Sequence, residues 1–221
     1  MSTISKENYL KAIFSHSYEM DQNASTTKIA NHLAISSSAI SDMAKKLSKE
    51  GLVKYEKYKG IILTTHGEKA ALKVIRRHRL WELFLMKVLE LDLSEVHDQA
   101  EILEHYTSDF LIDKIDEFLD YPDFDPHGHP IPKKNGTIPK TPGVIPLIDT
   151  VINQEYEFVK VNDRDNELIN YLNKVGLKLH SNLEIIDKLN FDNSITIKFD
   201  NKIITLSKKI AENLYVRLKK N

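Results

Sequence analysis

A chain of 221 residues with 41% hydrophobic content is long enough for one to three small domains, each with a core of its own. No apolar run approaches the roughly 18 residues that span a bilayer, and the first residues lack the apolar core of a signal peptide. The absence of cysteine excludes disulfides, thiolate metal sites and cysteine nucleophiles. A cytoplasmic protein without membrane contact is expected. The net charge of −1 conceals an asymmetry: residues 1–80 carry 14 Lys and Arg against 7 Asp and Glu, residues 81–130 carry 2 against 14, and residues 131–221 carry 15 against 11. The basic first segment predicts a polyanionic partner, and the acidic middle predicts cations.

Residues 1–75 read as a DNA-binding domain. Tyr9, Leu10, Ile13 and Phe14 give a helical apolar pattern, with Ser5 as a candidate cap. Thr26 or Thr27 can cap a short second helix that turns Ile29, Ala30 and Leu33 inward. After a break at Ile35-Ser-Ser-Ser, a third helix from Ser37 to Lys49 carries Ala39, Ile40, Met43, Ala44 and Leu47 on one side and stops at Gly51. Two short amphipathic helices joined by a tight turn are the helix-turn-helix pattern. The period then changes to alternation from Leu52 to Thr64, a hairpin turning at Lys59-Gly60, which makes the motif winged. Ser37, Ser38, Ser41 and Asp42, near the start of the third helix, are expected to face base edges in the major groove of double-stranded DNA, with Thr27 beside them. Lys45, Lys46, Lys57 and Lys59 are expected on phosphates. His16, His32 and His66 lack carboxylates at helical spacing and read as surface or capping residues.

Residues 76–130 read as a helical metal-sensing and dimerisation domain. His78 and Glu82 are four apart and share a helix face; His97, Glu101, Glu104 and His105 fall within a stripe of roughly 100° on the next helix. Imidazole with carboxylate suits a divalent ion of intermediate hardness: Mn2+, Fe2+, Co2+ or Zn2+. A solvated helix face is the competing reading of any one pair. Leu72, Ile75, Leu80, Leu83, Phe84 and Val88, then Phe110, Leu111, Ile115, Phe118 and Leu119, form more apolar helix surface than one neighbour covers. This predicts a two-fold dimer suited to an inverted-repeat operator, against an intramolecular core.

All seven prolines lie between Pro122 and Pro146. Asp125, His127 and His129 alternate there and can point the same way from an extended chain. Residues 131–150 read as a proline-rich linker. In residues 151–221, strand-like runs at 156–161, 183–186, 194–199 and 202–206 surround a helix from Asn166 to about Val175, with a turn at Asp200-Asn201.

The order of helix-turn-helix, a wing reading Tyr-Glu-Lys-Tyr-Lys-Gly, then Arg-His-Arg-Leu-Trp-Glu-Leu-Phe-Leu and Val-His-Asp-Gln-Ala-Glu-Ile-Leu-Glu-His resembles the diphtheria-toxin-repressor family of metal-dependent transcriptional repressors. The nearest branch is the manganese- and iron-responsive one with a C-terminal SH3-like domain. The resemblance covers essentially the whole chain. It implies a mainly α fold with a small β part: a winged helix-turn-helix, a helical metal-binding dimerisation domain and an SH3-like β-barrel. It assigns Glu101, Glu104 and His105, with His78 at the edge, to a primary metal site. The N-terminal helix adds one ligand in the family, an Asp or Met; here that position is Asn8, with Glu7 as an alternative. Glu101 stands where iron-responsive relatives place Cys, which favours Mn2+ while leaving Fe2+ open; Co2+, Zn2+ or Ni2+ can substitute. The secondary site falls to Glu82, His97, Asp125, His127 and Asp163. Asp125-Pro-His127-Gly replaces the branch's Cys-Pro-His-Gly, and Asp165 or Glu167 are alternatives to Asp163.

The function implied is that of a homodimeric repressor, not an enzyme and without a small-molecule substrate, in which a divalent cation promotes binding to an inverted-repeat operator of metal-uptake genes. Without metal, Glu101 and Glu104 are expected to repel each other and leave the N-terminal helix loosely held. Two other classes stand beside this: a winged-helix regulator of an organic ligand, and a metallohydrolase built on the His/Glu/Asp cluster.

Overall fold

The structure is a computed structural model that describes residues 3–19, 24–56, 60–163 and 165–219. It contains two compact units. The first comprises Met1–Trp81, Ala100–Asp120 and Pro132–Ile138; the second comprises Glu82–Gln99, Tyr121–Ile131 and Pro139–Asn221.

The first unit opens with α1 (Thr3–Phe14), which runs on into a π-helical turn at Ser15–Glu19. Ser5 lies inside α1 rather than at its cap. Helices α2 (Thr26–Leu33) and α3 (Ser37–Lys49) follow. The cap of α2 is Ser25, one residue ahead of the expected threonines: its hydroxyl accepts from the Lys28 amide. Ser36 does the same for α3 through the Ala39 amide. Gly51, at φ +72°, then turns the chain out of α3 into a hairpin of β1 (Val53–Glu56) and β2 (Gly60–Leu63). Its register runs from Val53 opposite Leu63 to Glu56 opposite Gly60. The tip, 57–59, lies outside the described residues, and with it the expected phosphate contacts Lys57 and Lys59.

Helix α4 (Thr65–Leu89) and helix α5 (Leu93–Tyr106) each contribute residues to both units, and α6 (Asp109–Phe118) belongs to the first. The core of the first unit gathers Tyr9, Leu10, Ile13, Ile29, Ile40, Leu47, Ile61, Leu72 and Ile75. Each such side chain contributes about 1.5–3 kcal/mol on burial. Tyr9 also donates its hydroxyl to the Ile40 carbonyl at 2.9 Å, fixing α1 against α3. The apolar pattern of α6 divides: Ile112 and Ile115 are buried, whereas Phe110 and Phe118 are 73% and 68% exposed and Tyr106, at the end of α5, 77%.

The second unit is built on a six-stranded antiparallel sheet in the order β3-β8-β4-β5-β6-β7. Its strands are β3 (Val144–Pro146), β4 (Glu155–Val161), β5 (Asn182–Leu189), β6 (Ser194–Phe199), β7 (Lys202–Leu206) and β8 (Leu214–Leu218). A 3-10 turn at Leu147–Asp149 follows β3, α7 (Asn166–Val175) joins β4 to β5, and α8 (Lys208–Ala211) joins β7 to β8. Tyr156, Phe158, Ile169, Leu183, Ile197, Phe199 and Val216 are buried in its core. The expected class, mainly helical with a smaller β part, is the one observed. Strands β3 and β8 were not in the expected set. Pro146 disguises β3, which pairs at the sheet edge where proline's missing N–H costs no ladder bond.

One close approach fixes the start of α4. Thr64 donates its hydroxyl to the Gly51 carbonyl at 2.7 Å, and a Cβ on Gly67 would stand 1.9 Å from the Leu52 carbonyl oxygen. Gly67→Ala is expected to lower unfolding stability by about 1–3 kcal/mol, read as an earlier urea midpoint at unchanged m-value.

Candidate metal centres

In the first unit, α1 presents Glu7 and Lys11, one turn apart, to side chains from α4 and α5. Glu7 accepts from Arg77 Nη2 at 3.0 Å and lies 2.7 Å from His105 Nδ1. Lys11 Nζ donates to Glu101 Oε1 at 2.5 Å and to Glu104 Oε2 at 2.8 Å. His78 Nδ1 lies 2.6 Å from Glu104 Oε2, so it carries the proton and donates; its 3.1 Å approach to Lys11 Nζ then brings two donors together rather than making a hydrogen bond. Burial pulls the Lys11 ammonium down, but Glu104 and Glu101 outweigh it and hold the pKa above its ordinary value.

His78, Glu101 and Glu104 thus offer donor atoms within 4.8 Å of one another, but around an ammonium of the chain itself. The expected repulsion between Glu101 and Glu104, and the loosely held N-terminal helix that it implied, are not what these residues show. Lys11 lies between the two carboxylates, and Glu7 adds a second tie through Arg77 and His105. Three buried atoms able to ligate a metal make no hydrogen bond: Asn8 Oδ1, Glu104 Oε1 and His105 Nε2, the last two 3.4 Å apart. The fit to a divalent ion is therefore incomplete. Part of the donor set is open, and the carboxylate charge is already engaged.

The second unit assembles the other cluster from four stretches: Glu82 on α4, His97 on α5, the loop 124–130, and Asp163 just after β4. The loop is shaped by Asp125. Its Oδ1 accepts from the amides of His127 at 2.8 Å and His129 at 2.9 Å, closing a turn that brings both rings to one side. The Val161 amide donates to the His127 carbonyl at 2.9 Å, pinning the loop to β4. Gly128, at φ +85°, is held so close that a Cβ would stand 2.0 Å from the Val159 carbonyl oxygen.

Asp163 Oδ2 is the hub. The Nδ1 atoms of His129, His97 and His127 lie 3.6, 3.8 and 3.9 Å from it. Glu82 Oε1 is 3.2 Å from His97 Nδ1 and 3.6 Å from His127 Nδ1, and Asp125 Oδ2 is 3.5 Å from His129 Nδ1. Ligand atoms about 2.1 Å from one ion stand roughly 3–3.5 Å apart, so this cluster has nearly the spacing of a coordination shell. Glu82 and His127 are fully buried, and neither nitrogen of His127 makes a hydrogen bond. These residues fit a divalent cation. Burial lowers the His127 pKa, but Glu82, Asp125 and Asp163 raise it to about 9. Burial raises that of Asp163; His129, His127 and His97 outweigh burial and Glu82 and hold it at about 2.

Lys11 was missed by sequence reasoning. His129, outside the ligand set that the resemblance implies, stands with Asp125 and Asp163. Of the alternatives to Asp163, Asp165 caps α7 instead, accepting from the Glu167 amide at 3.0 Å. His16 is buried, its ring 5.4 Å from that of His32 and edge-on to it, which corrects its reading as a surface residue.

On α3, Ile40, Ala44 and Leu47 face the core while Ser37, Ser38, Asp42, Lys45 and Lys46 are exposed, as is Thr27 on α2. Ser41 is half-buried and donates its hydroxyl to the Ser37 carbonyl at 2.9 Å; Asp42 pairs with Lys45 at 3.0 Å. The exposed face is polar at the start of α3 and basic further on.

Three family models match the chain: "Iron dependent repressor, N-terminal DNA binding domain" over residues 1–61, "Iron dependent repressor, metal binding and dimerisation domain" over 64–133, and "FeoA domain" over 145–218. An uncharacterized HTH-type transcriptional regulator, MJ0568 of Methanocaldococcus jannaschii, is 37% identical over 114 residues, 52% of this chain and 91% of its own length. The HTH-type transcriptional regulator MntR of Bacillus subtilis is 34% identical over 121 residues, 55% of this chain and 84% of its own. A solved manganese-dependent transcriptional repressor in complex with manganese superposes with a TM-score of 0.92 at 32% identity, covering 97% of this chain and all (100%) of that one.

Three outcomes are expected of the Asp163 cluster and its loop. An imidazole must lose its proton to ligate, so Mn2+ affinity there is expected to rise with pH toward about 9, near tenfold per unit, in titrations at fixed ionic strength. In the metal-free protein the sign reverses: protonated His127 contributes stability that is complete below about pH 6.5 and is lost as pH rises through about 9. Gly128→Ala is expected to displace the loop from β4 and weaken Mn2+ binding by about tenfold or more, by the same titration.

Proposed function

The chain belongs to the iron-dependent repressor family, and from this premise we infer that it is a metal-dependent transcriptional repressor, with Mn2+ or Fe2+ as the activating ion. The observation that carries the metal side is the buried cluster of Glu82, His97, Asp125, His127 and Asp163, with His129 beside it, and above all a fully buried His127 whose ring nitrogens make no hydrogen bond. Carboxylate oxygen and imidazole nitrogen without sulfur favour Mn2+ and Fe2+, with Co2+, Zn2+ and Ni2+ as substitutes.

When bound, the ion supplies positive charge that offsets three clustered carboxylates. The chain's own residues do the rest. Asp125 shapes the loop so that His127 and His129 converge, Glu82 offers its carboxylate from α4, His97 from α5 faces both Glu82 and Asp163, and Asp163 completes the set from the end of β4. Helix α4 follows directly on the wing strand β2 and carries Glu82 further along, so one continuous helix joins the DNA-reading segment to a metal ligand in sequence. The coupling between metal and operator is typically 1–3 kcal/mol, and it is reciprocal: DNA tightens metal binding by the same factor.

On the DNA side, the reading puts Ser37, Ser38, Ser41 and Asp42 on base edges with Thr27 beside them, and Lys45 and Lys46 on phosphates. A homodimer fits an inverted repeat, and the exposed Tyr106, Phe110 and Phe118 offer apolar area for its interface. Regulated metal-uptake genes complete the reading.

The test is operator binding by fluorescence anisotropy, using an inverted repeat from the gene's own upstream region, with chelator and then with Mn2+, anaerobic Fe2+, Co2+ and Zn2+. Affinity is expected to rise about tenfold or more with metal. His127→Ala should abolish that rise while leaving the chelator baseline in place. Equal affinity with and without metal would overturn the proposal.

A further inference from the structure

We propose that Lys11 is a built-in cation of the Glu101–Glu104 cluster, so that the first divalent ion goes to the Asp163 cluster of the second unit and the Glu101–Glu104 cluster takes one only weakly. This rests on the metal-dependent reading above and assigns the order in which its candidate sites fill.

The argument is one of charge and available donors. In the first unit the formal charges of Glu101 and Glu104 are offset by the ammonium of Lys11, at hydrogen-bonding distance from both. Asn8, on the same helix, adds a neutral carbonyl and no charge. His105 is turned by Glu7, which takes its Nδ1. A net charge of about −1 remains, with three donors not otherwise bonded: Asn8 Oδ1, Glu104 Oε1 and His105 Nε2. An ion entering there also meets the ammonium at close range, and like charges repel more strongly in a poorly solvated site than in water.

The Asp163 cluster has the opposite balance. Glu82, Asp125 and Asp163 carry three negative charges, and the groups facing them are imidazoles, which give up a proton to a metal far more readily than an ammonium does. Its donors come from four stretches of chain and already stand near coordination spacing. In the first unit the cation that clasps α1 to α5 is covalent; in the second it has to be recruited.

The experiment is a Mn2+ titration of the full chain, free Mn2+ being read by electron paramagnetic resonance. The unmodified protein is expected to bind one Mn2+ per protomer about tenfold or more tighter than any second. Asp163→Ala should remove the tight equivalent. Lys11→Glu, which exchanges the built-in cation for a further carboxylate, should tighten the weak equivalent by about tenfold or more; Lys11→Met, which removes charge without adding repulsion, should tighten it less. Melting curves with and without Mn2+ separate altered binding from lost folding: both Lys11 variants should melt earlier with chelator and recover with Mn2+. A tight equivalent that survives Asp163→Ala, or a weak one unmoved in both Lys11 variants, would overturn the order of filling while leaving a metal-dependent repressor intact. No Mn2+ bound by the unmodified protein would overturn both.

Discussion

Two glutamates, Glu82 and Glu104, are fully shielded from water, and the helical part of the molecule has to compensate them. An uncompensated carboxylate in such surroundings costs several kcal/mol even after relaxation, so each must be met by positive charge or by donors. Glu104 is met by Lys11 and His78; Glu82 is met by His97 and His127. An ammonium keeps its proton when a metal approaches, whereas an imidazole, even that of His127 with its pKa of about 9, yields its proton to a competing cation. The two solutions therefore differ in kind. The first acts as a permanent clasp, and the second is exchangeable for another cation.

Burial also explains why the acidic middle of the chain is not simply solvated surface. Of its acidic residues, Glu82, Glu104, Asp116 and Asp125 are buried. Asp116 is held by Arg76 at 2.7 Å, an ion pair wholly within the first unit. The basic residues of the first segment thus divide their work: Arg76, Arg77 and Lys11 face inward to carboxylates, while Lys45 and Lys46 on α3 remain exposed for a polyanion. A charge balance read along the sequence cannot separate those two uses, because both appear as basic residues on amphipathic helices.

The helices were legible where two signals agreed. Helix α3 has an apolar face at helical spacing, a serine ahead of it and a glycine after it, and its bounds fall where expected. The His and Glu stripe was legible from i,i+4 spacing, but the partner of each residue was not. His78 and Glu82 lie one turn apart on one helix, yet His78 pairs with Glu104 while Glu82 joins His97 and His127. Only tertiary contacts make that assignment, so periodicity carries no trace of it. Lys11 escaped notice for the same reason: a lysine on a mixed helix face has no motif, and its role comes from carboxylates far away in sequence. Strand β8 was lost to the opposite weakness, a short alternating run beyond a single-turn helix with no turn signal strong enough to announce it.

The scatter of the Asp163 cluster along the chain also bears on how the protein folds and unfolds. Its donors are contributed by α4, by α5, by the proline-rich loop and by the end of β4, so they meet only after contacts of long sequence separation have formed. An ion held there cannot template the early stages of folding, because the cage does not exist until most of the unit does. Its stabilisation falls on the native side of the barrier and is expressed as slower unfolding rather than faster folding. An ion bound by the proposed ligands would thus lengthen the lifetime of the folded chain, so that resistance to proteolysis would rise with metal supply.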